Sequence, residues 1–145
     1  MEASNTNTKR DIGKLTAWLL LLVILGGALA LRLWSINHGL PFSYNADENE
    51  HFTSIAVRMF GTSLNPGYFE NPPGLTYLFF LIFKVRFGAG FPFNGKELAQ
   101  QFAVTPSEFF ELARTTVAIL GVIGIGLVYV AGARIFDRRV GLIAS

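Results

Sequence analysis

Apolar residues gather into two long uncharged runs, 17 residues at 15–31 and 19 residues at 115–133. A helix rises ~1.5 Å per residue and a bilayer core is ~30 Å thick, so the second run spans comfortably. The first just spans if Arg32 and Trp34 anchor its far end, giving a span over 15–34. The second, bounded by Arg114 and Arg134, gives a span over 114–134. Gly121, Gly124, Gly126 and Gly132 in it are expected to let neighbouring helices approach closely. A further apolar run starts near Val140 and stops at Ser145, which predicts the beginning of a third span. On this reading the chain is the N-terminal piece of a larger membrane protein.

A shorter apolar segment at 75–83 decides the topology. Its nine residues fall well short of the ~20 needed to cross. Lys9, Arg10 and Lys14 precede the first span and put the N-terminus in the cytoplasm. If 75–83 crossed, the basic cluster Arg134, Arg138 and Arg139 would lie outside, against the positive-inside rule. Lys84 and Arg86 argue the other way, but length is the stronger constraint. Residues 35–113 are therefore expected to form one external loop, with amphipathic interfacial helices near 46–60 and 75–86. The predicted fold class is all-α integral membrane: two transmembrane helices, the start of a third, and this long loop. A cleaved signal peptide is a rival reading of the first run, because Ala28-Leu29-Ala30 has the small-x-small form. The run is somewhat long for a signal, and a second membrane run follows regardless.

The loop holds the candidate chemistry. Asn45 can cap a helix, Glu48 completes a capping box, and Gly61 is a natural stop. Phe52, Ile55, Ala56, Met59 and Phe60 keep the spacing of one apolar face, expected to rest on the bilayer. Asp47, His51, Ser54 and Arg58 form a polar strip on the opposite side. Taken alone, Asp47, Glu48 and Glu50 are first-turn acids that complement a helix dipole. His51 pairs with Asp47 or faces solvent, since one histidine does not make a metal site. Leu64-Asn65-Pro66-Gly67 is turn chemistry. Asn71-Pro72-Pro73-Gly74 imposes an extended entry into the next helix and holds Glu70 beside a rigid element. Thr105-Pro106-Ser107-Glu108 starts a helix that runs into the second span. Arg114, taken alone, is a snorkelling anchor at the water–lipid boundary.

Composition agrees with a membrane protein. The chain is 51% hydrophobic and only 15% charged, against roughly 25% charged in soluble domains. A net charge of +2 gives no basis for nucleic-acid binding. The absence of cysteine excludes disulfides and thiolate metal sites. No repeat or low-complexity segment is present.

The order of these elements resembles the N-terminal region of GT-C membrane glycosyltransferases. The closest likeness is to the aminoarabinose (lipid A) transferase and protein O-mannosyltransferase branches, and it extends over nearly the whole chain. The shared pattern is a first span, an Asp-Glu opening an external amphipathic helix, an aromatic-Glu-x-Pro segment, and a second span opening with Arg. The resemblance implies a polyprenyl- or dolichyl-phosphate-linked sugar donor, and a lipid, glycan or protein acceptor. It implies transfer to an acceptor hydroxyl on the external face, with inversion at the anomeric carbon. Asp47, with Glu48 beside it, matches the family's catalytic base. Glu70 matches a loop Glu associated with substrate or metal, Arg114 matches the Arg that opens the second span, and the resemblance makes both candidate substrate or phosphate contacts. His51-Phe52 resembles the mannosyltransferase pattern with Glu50 inserted, and Arg58 joins His51 as a candidate substrate or phosphate contact. Asn71 stands where the aminoarabinose branch has Lys, which leaves the sugar and the acceptor open. A divalent metal is compatible with this sequence but not required by it. The implied location is multi-pass in a membrane, the plasma (inner) membrane in a prokaryote, and isolated activity of two spans is not expected.

Two other classes compete. A transporter or flippase fragment would use the external acids to bind a cation or amine, but such sites sit near the midplane on broken helices. A small structural subunit complete at 145 residues is disfavoured by the unfinished run after Val140.

Overall fold

The computed structural model describes residues 2–43, 45, 47–61, 63–88 and 95–145, with side chains from Gly13 onward. Lys9 and Arg10, on which the expected orientation rests, lie outside the described side chains, as does Ala46. Among the described residues the fold is all-helical, without strands. Two of its helices are long and apolar enough to cross a membrane, by length and composition. The chain divides into two compact units, one formed by Met1–Ser35 with Thr115–Ser145 and the other by Ile36–Arg114.

The first unit contains α1 (Glu2–Leu33), most of α5 (Pro106–Ile135) and α6 (Arg138–Ala144). Its apolar side chains are largely uncovered by protein, Val23 at 72% exposure and Leu31 at 80%. Among the described residues, Ala17, Leu21, Ala118 and Tyr129 are the apolar residues buried within it. Trp18 tilts against Tyr129 with ring centroids 6.0 Å apart. Asp137 caps α6 by accepting from the Arg139 and Val140 amides at 2.8 and 2.9 Å, which satisfies donors a helix start leaves open. The glycines differ in their surroundings. A Cβ on Gly132 would come within 2.9 Å of the Gly141 Cα, and one on Gly141 within 2.7 Å of the Tyr129 carbonyl. Here two backbones pack directly. Gly124 and Gly126, expected to serve the same purpose, have nothing within 4 Å.

The second unit is built differently. A π-helical segment, Asp47–Thr53, runs into a short α2 (Ser54–Arg58). It is followed by α3 (Gly74–Phe87), α4 (Gly95–Val104) and the first turns of α5. Ala56, Val57, Phe79, Phe83, Leu98, Phe109 and Ala113 form its core. Phe83 and Phe109 are fully buried and meet edge to face at 5.3 Å, a geometry that suits the ring quadrupole. This corrects one expectation. The apolar face of 46–60 does not rest on a bilayer, because Ile55, Ala56 and Met59 are buried in protein. The neighbouring helices supply enough apolar surface to cover it. On α3, Phe79 and Phe83 turn into that core while Tyr77, Leu81 and Val85 remain exposed.

Helix α4 was not anticipated, although Leu98 and Phe102 have the i, i+4 spacing of a buried face. Gly95 begins it and has no room for a side chain, since a Cβ there would collide with the Phe60 carbonyl. Helix α5 begins at Pro106, as the Thr-Pro-Ser-Glu pattern predicts. The Asn65-Pro66-Gly67 turn is also present. Gly67 has φ 67°, and its amide donates to the Asn65 side chain at 3.0 Å, a conformation glycine adopts at little cost.

Candidate functional site

The acids at 47 and 48 are adjacent in sequence but have different surroundings. Glu48 is drawn inward, with its side chain only 16% exposed, and it grips Arg114 through two parallel hydrogen bonds. Arg114 Nε donates to Glu48 Oε1 at 2.5 Å, and Nη2 donates to Oε2 at 2.9 Å. Ser43 Oγ donates to the same Oε2 at 2.9 Å. The fork of a guanidinium matches a carboxylate, so this pairing is both strong and directional. The reach back to the Asn45 amide expected of a capping box is not made. Both Glu48 oxygens are engaged elsewhere, and Asn45 Oδ1 instead accepts from the Asp47 amide at 3.1 Å.

Arg114 has further obligations. Its Nη1 donates to the carbonyls of Ile36 and His38 at 2.6 and 2.9 Å. All but one of its N–H donors are therefore used within the protein. Arg114 is the tie that holds the entry of the unit, its acidic segment and the start of α5 together.

Asp47 points the other way. Its side chain is 67% exposed, and Oδ1 lies 4.0 Å from His51 Nε2, one helical turn on. The π-helical winding keeps the two on one side, and Ser54 Oγ donates to the Asn49 carbonyl five residues back. The His51 ring stacks on Tyr68, with centroids 4.5 Å apart and planes 11° from parallel. Asn71 Nδ2 donates to the Tyr68 hydroxyl at 3.2 Å. The Tyr68 phenol is held above its ordinary pKa. Desolvation is the main cause, the charges of Glu70 and Asp47 add to it, and the Asn71 hydrogen bond opposes it.

The fold thus brings Asp47, His51 and Glu70 around Tyr68, while Glu48 and Arg114 form a separate, internal pair. Arg58 is exposed and donates to the Pro66 carbonyl at 3.0 Å, bracing the turn before Tyr68. Sequence reasoning assigned Tyr68 no role. Its position two residues before Glu70, in an otherwise turn-forming segment, was the available signal. Thr53, fully buried with no partner for its hydroxyl among the described residues, was also not foreseen. Among the described residues no cluster of three or more acids, histidines or cysteines is arranged to hold a metal ion.

The chemical capacity of this surface is that of an accessible carboxylate beside an imidazole and a phenol, on a frame fixed by an ion pair. Such a carboxylate can take a proton from a hydroxyl placed within hydrogen-bond reach. No protein family, characterised protein or solved structure matches this chain.

Proposed function

We infer that the chain is the catalytic-loop end of a membrane glycosyltransferase that uses a lipid-phosphate-linked sugar. The division of labour between two adjacent acids carries the reading. Glu48 is committed to Arg114, which leaves Asp47 exposed beside His51 and Tyr68. In the reaction, Asp47 accepts the proton of the acceptor hydroxyl as its oxygen attacks the anomeric carbon. The bond from that carbon to the phosphate oxygen breaks, and the lipid phosphate leaves with the electron pair. Direct displacement with one carboxylate base inverts the anomeric centre, and no carboxylate nucleophile takes part. Glu48 is a positioning residue here, since its oxygens already serve Arg114 and Ser43. His51 and Tyr68 offer an aromatic edge against which a sugar can lie. Arg58 and Glu70 flank it as candidate contacts.

In this reading α1 and α5 cross the bilayer, with the N-terminus in the cytoplasm and residues 35–113 outside. Helix α3 turns Tyr77, Leu81 and Val85 towards the interface. The transporter reading draws no support from α1 and α5, which are unbroken where transporter sites favour interrupted helices. The test supplies the full polypeptide, in proteoliposomes, with a polyprenyl-phosphate sugar and a hydroxyl acceptor. Glycosylated product from the wild type and none from Asp47→Asn is expected. Solute uptake without any glycosyl product would overturn the assignment in favour of transport.

A further inference from the structure

We propose that Arg32, seated against Gly121, is a binding site for the phosphate of a membrane lipid. The two residues belong to the same unit, Arg32 in the last turn of α1 and Gly121 within the uncharged run of α5. The Arg32 guanidinium lies where a side chain at position 121 would be. A Cβ there would come within 2.9 Å of Nε, 3.4 Å of Nη2 and 3.5 Å of Cζ. Glycine thus provides a notch in α5, and the guanidinium fills it.

Among the described residues the donors of Arg32 are nearly all unspent. Nη1 donates to the Ala28 carbonyl at 3.1 Å, an ordinary contact for a cation closing a helix. No carboxylate among the described residues pairs with Arg32. Asp137 is occupied as the cap of α6, and Asp11 belongs to the opposite end of α1, ~30 Å away by helical rise. Leu31, Leu33 and Trp34 around Arg32 are exposed apolar side chains. Arg32 is exposed and, in the membrane-spanning reading, closes the uncharged run of α1 at the outer boundary, where lipid phosphates lie. Phosphate is the anion a membrane supplies, and the guanidinium fork binds it through paired hydrogen bonds.

The contrast with Arg114 strengthens the assignment. That side chain, the family-based candidate for the phosphate, has one N–H donor left, whereas Arg32 has all but one. The site rests on the reading of α1 and α5 as membrane-spanning, and it is independent of the role given to Asp47. The phosphate can belong to a polyprenyl carrier or to a phospholipid headgroup, and the two are separable by experiment.

The test is native mass spectrometry of the purified full polypeptide with polyprenyl monophosphate, phosphatidic acid, or diacylglycerol as the phosphate-free control. Wild type should retain the phosphorylated lipids over diacylglycerol. Arg32→Gln should weaken that retention about tenfold or more, as expected for losing a charge-assisted contact. Arg32→Lys should keep part of it. Gly121→Leu, which fills the notch against the flexible end of Arg32, should weaken it while leaving the helices packed. Asp47→Asn should bind as wild type does, so failure here and failure of the transfer reading are distinguishable. Preference for the polyprenyl lipid assigns the site to a carrier, and equal retention of phosphatidic acid assigns it to a headgroup. Equal retention of diacylglycerol, or unchanged binding by both Arg32→Gln and Gly121→Leu, would overturn the proposal. If Arg32→Gln does not fold, Gly121→Leu and Arg32→Lys decide.

Discussion

The two units spend their apolar residues in opposite ways. In the Ile36–Arg114 unit, short helices bury phenylalanines against one another, with Phe83 and Phe109 fully covered. In the unit containing α1 and most of α5, whole turns of leucine and valine are left uncovered by protein. The first pattern closes a core with protein alone, even though Leu81 and Val85 stay exposed on α3. In the membrane-spanning reading the second is completed by lipid, because exposed apolar surface on this scale is costly in water. The same hydrophobic residue therefore has a different role on each side of the boundary, and substitution reveals which.

The largest contrast comes from truncating one side chain in each unit. Phe83→Ala should cost about 3–5 kcal/mol of stability, because it opens a cavity in a closed core. Val23→Ala, on an uncovered face of α1, should leave the thermal midpoint in detergent nearly unchanged. Equal losses would erase the distinction between the units. A charge sharpens it from the other side. Leu22→Lys, near the middle of the first apolar run, should raise the apparent free energy of membrane insertion by about 2.5–3.5 kcal/mol. Insertion assays with a reporter glycosylation site read this directly, and a wild-type α1 that fails to translocate the reporter would show that it is not a span.

A smaller effect tests what frames the second unit. Glu48→Gln and Arg114→Gln should each destabilise by about 1.5–3 kcal/mol, since each strands a partner in a charge-assisted network. The double variant should lose less than the sum, and simple additivity would mean the pair is not coupled.

The smallest effect concerns Tyr68. Its raised pKa means the folded state favours the neutral phenol, so whatever stability this group contributes is present below the ordinary pKa of 10.0. That contribution is lost as pH rises from there towards the folded value, because the unfolded chain releases its proton first. Phenolate absorbance, read as the difference from Tyr68→Phe, should place the transition above the ordinary range. Glu70→Gln should move it down, and an unmoved transition would remove Glu70 from this cluster.

The sequence was legible where local chemistry decides the outcome. Uncharged length marked α1 and α5, Pro106 and Gly67 marked a helix start and a turn, and spacing put Asp47 beside His51. It was less legible where distant segments meet. The Glu48 side chain looked like a capping partner because its competitor, Arg114, is 66 residues away. The apolar face of α2 looked available to lipid because the helices covering it come later, and one of them, α4, was not recognised. Glycine count could not separate Gly132, which touches another backbone, from Gly124, which touches nothing. Tyr68 carries no motif and becomes relevant only when its ring is seen on His51.

The division between the two adjacent acids is tested most directly by measuring transfer rate and thermal midpoint together for Asp47→Asn and Glu48→Gln in the full polypeptide. The account predicts that Asp47→Asn abolishes transfer with its midpoint preserved, while Glu48→Gln lowers the midpoint and retains measurable transfer wherever the protein is still folded. Retained transfer in Asp47→Asn, or its complete loss in a fully folded Glu48→Gln, would contradict it.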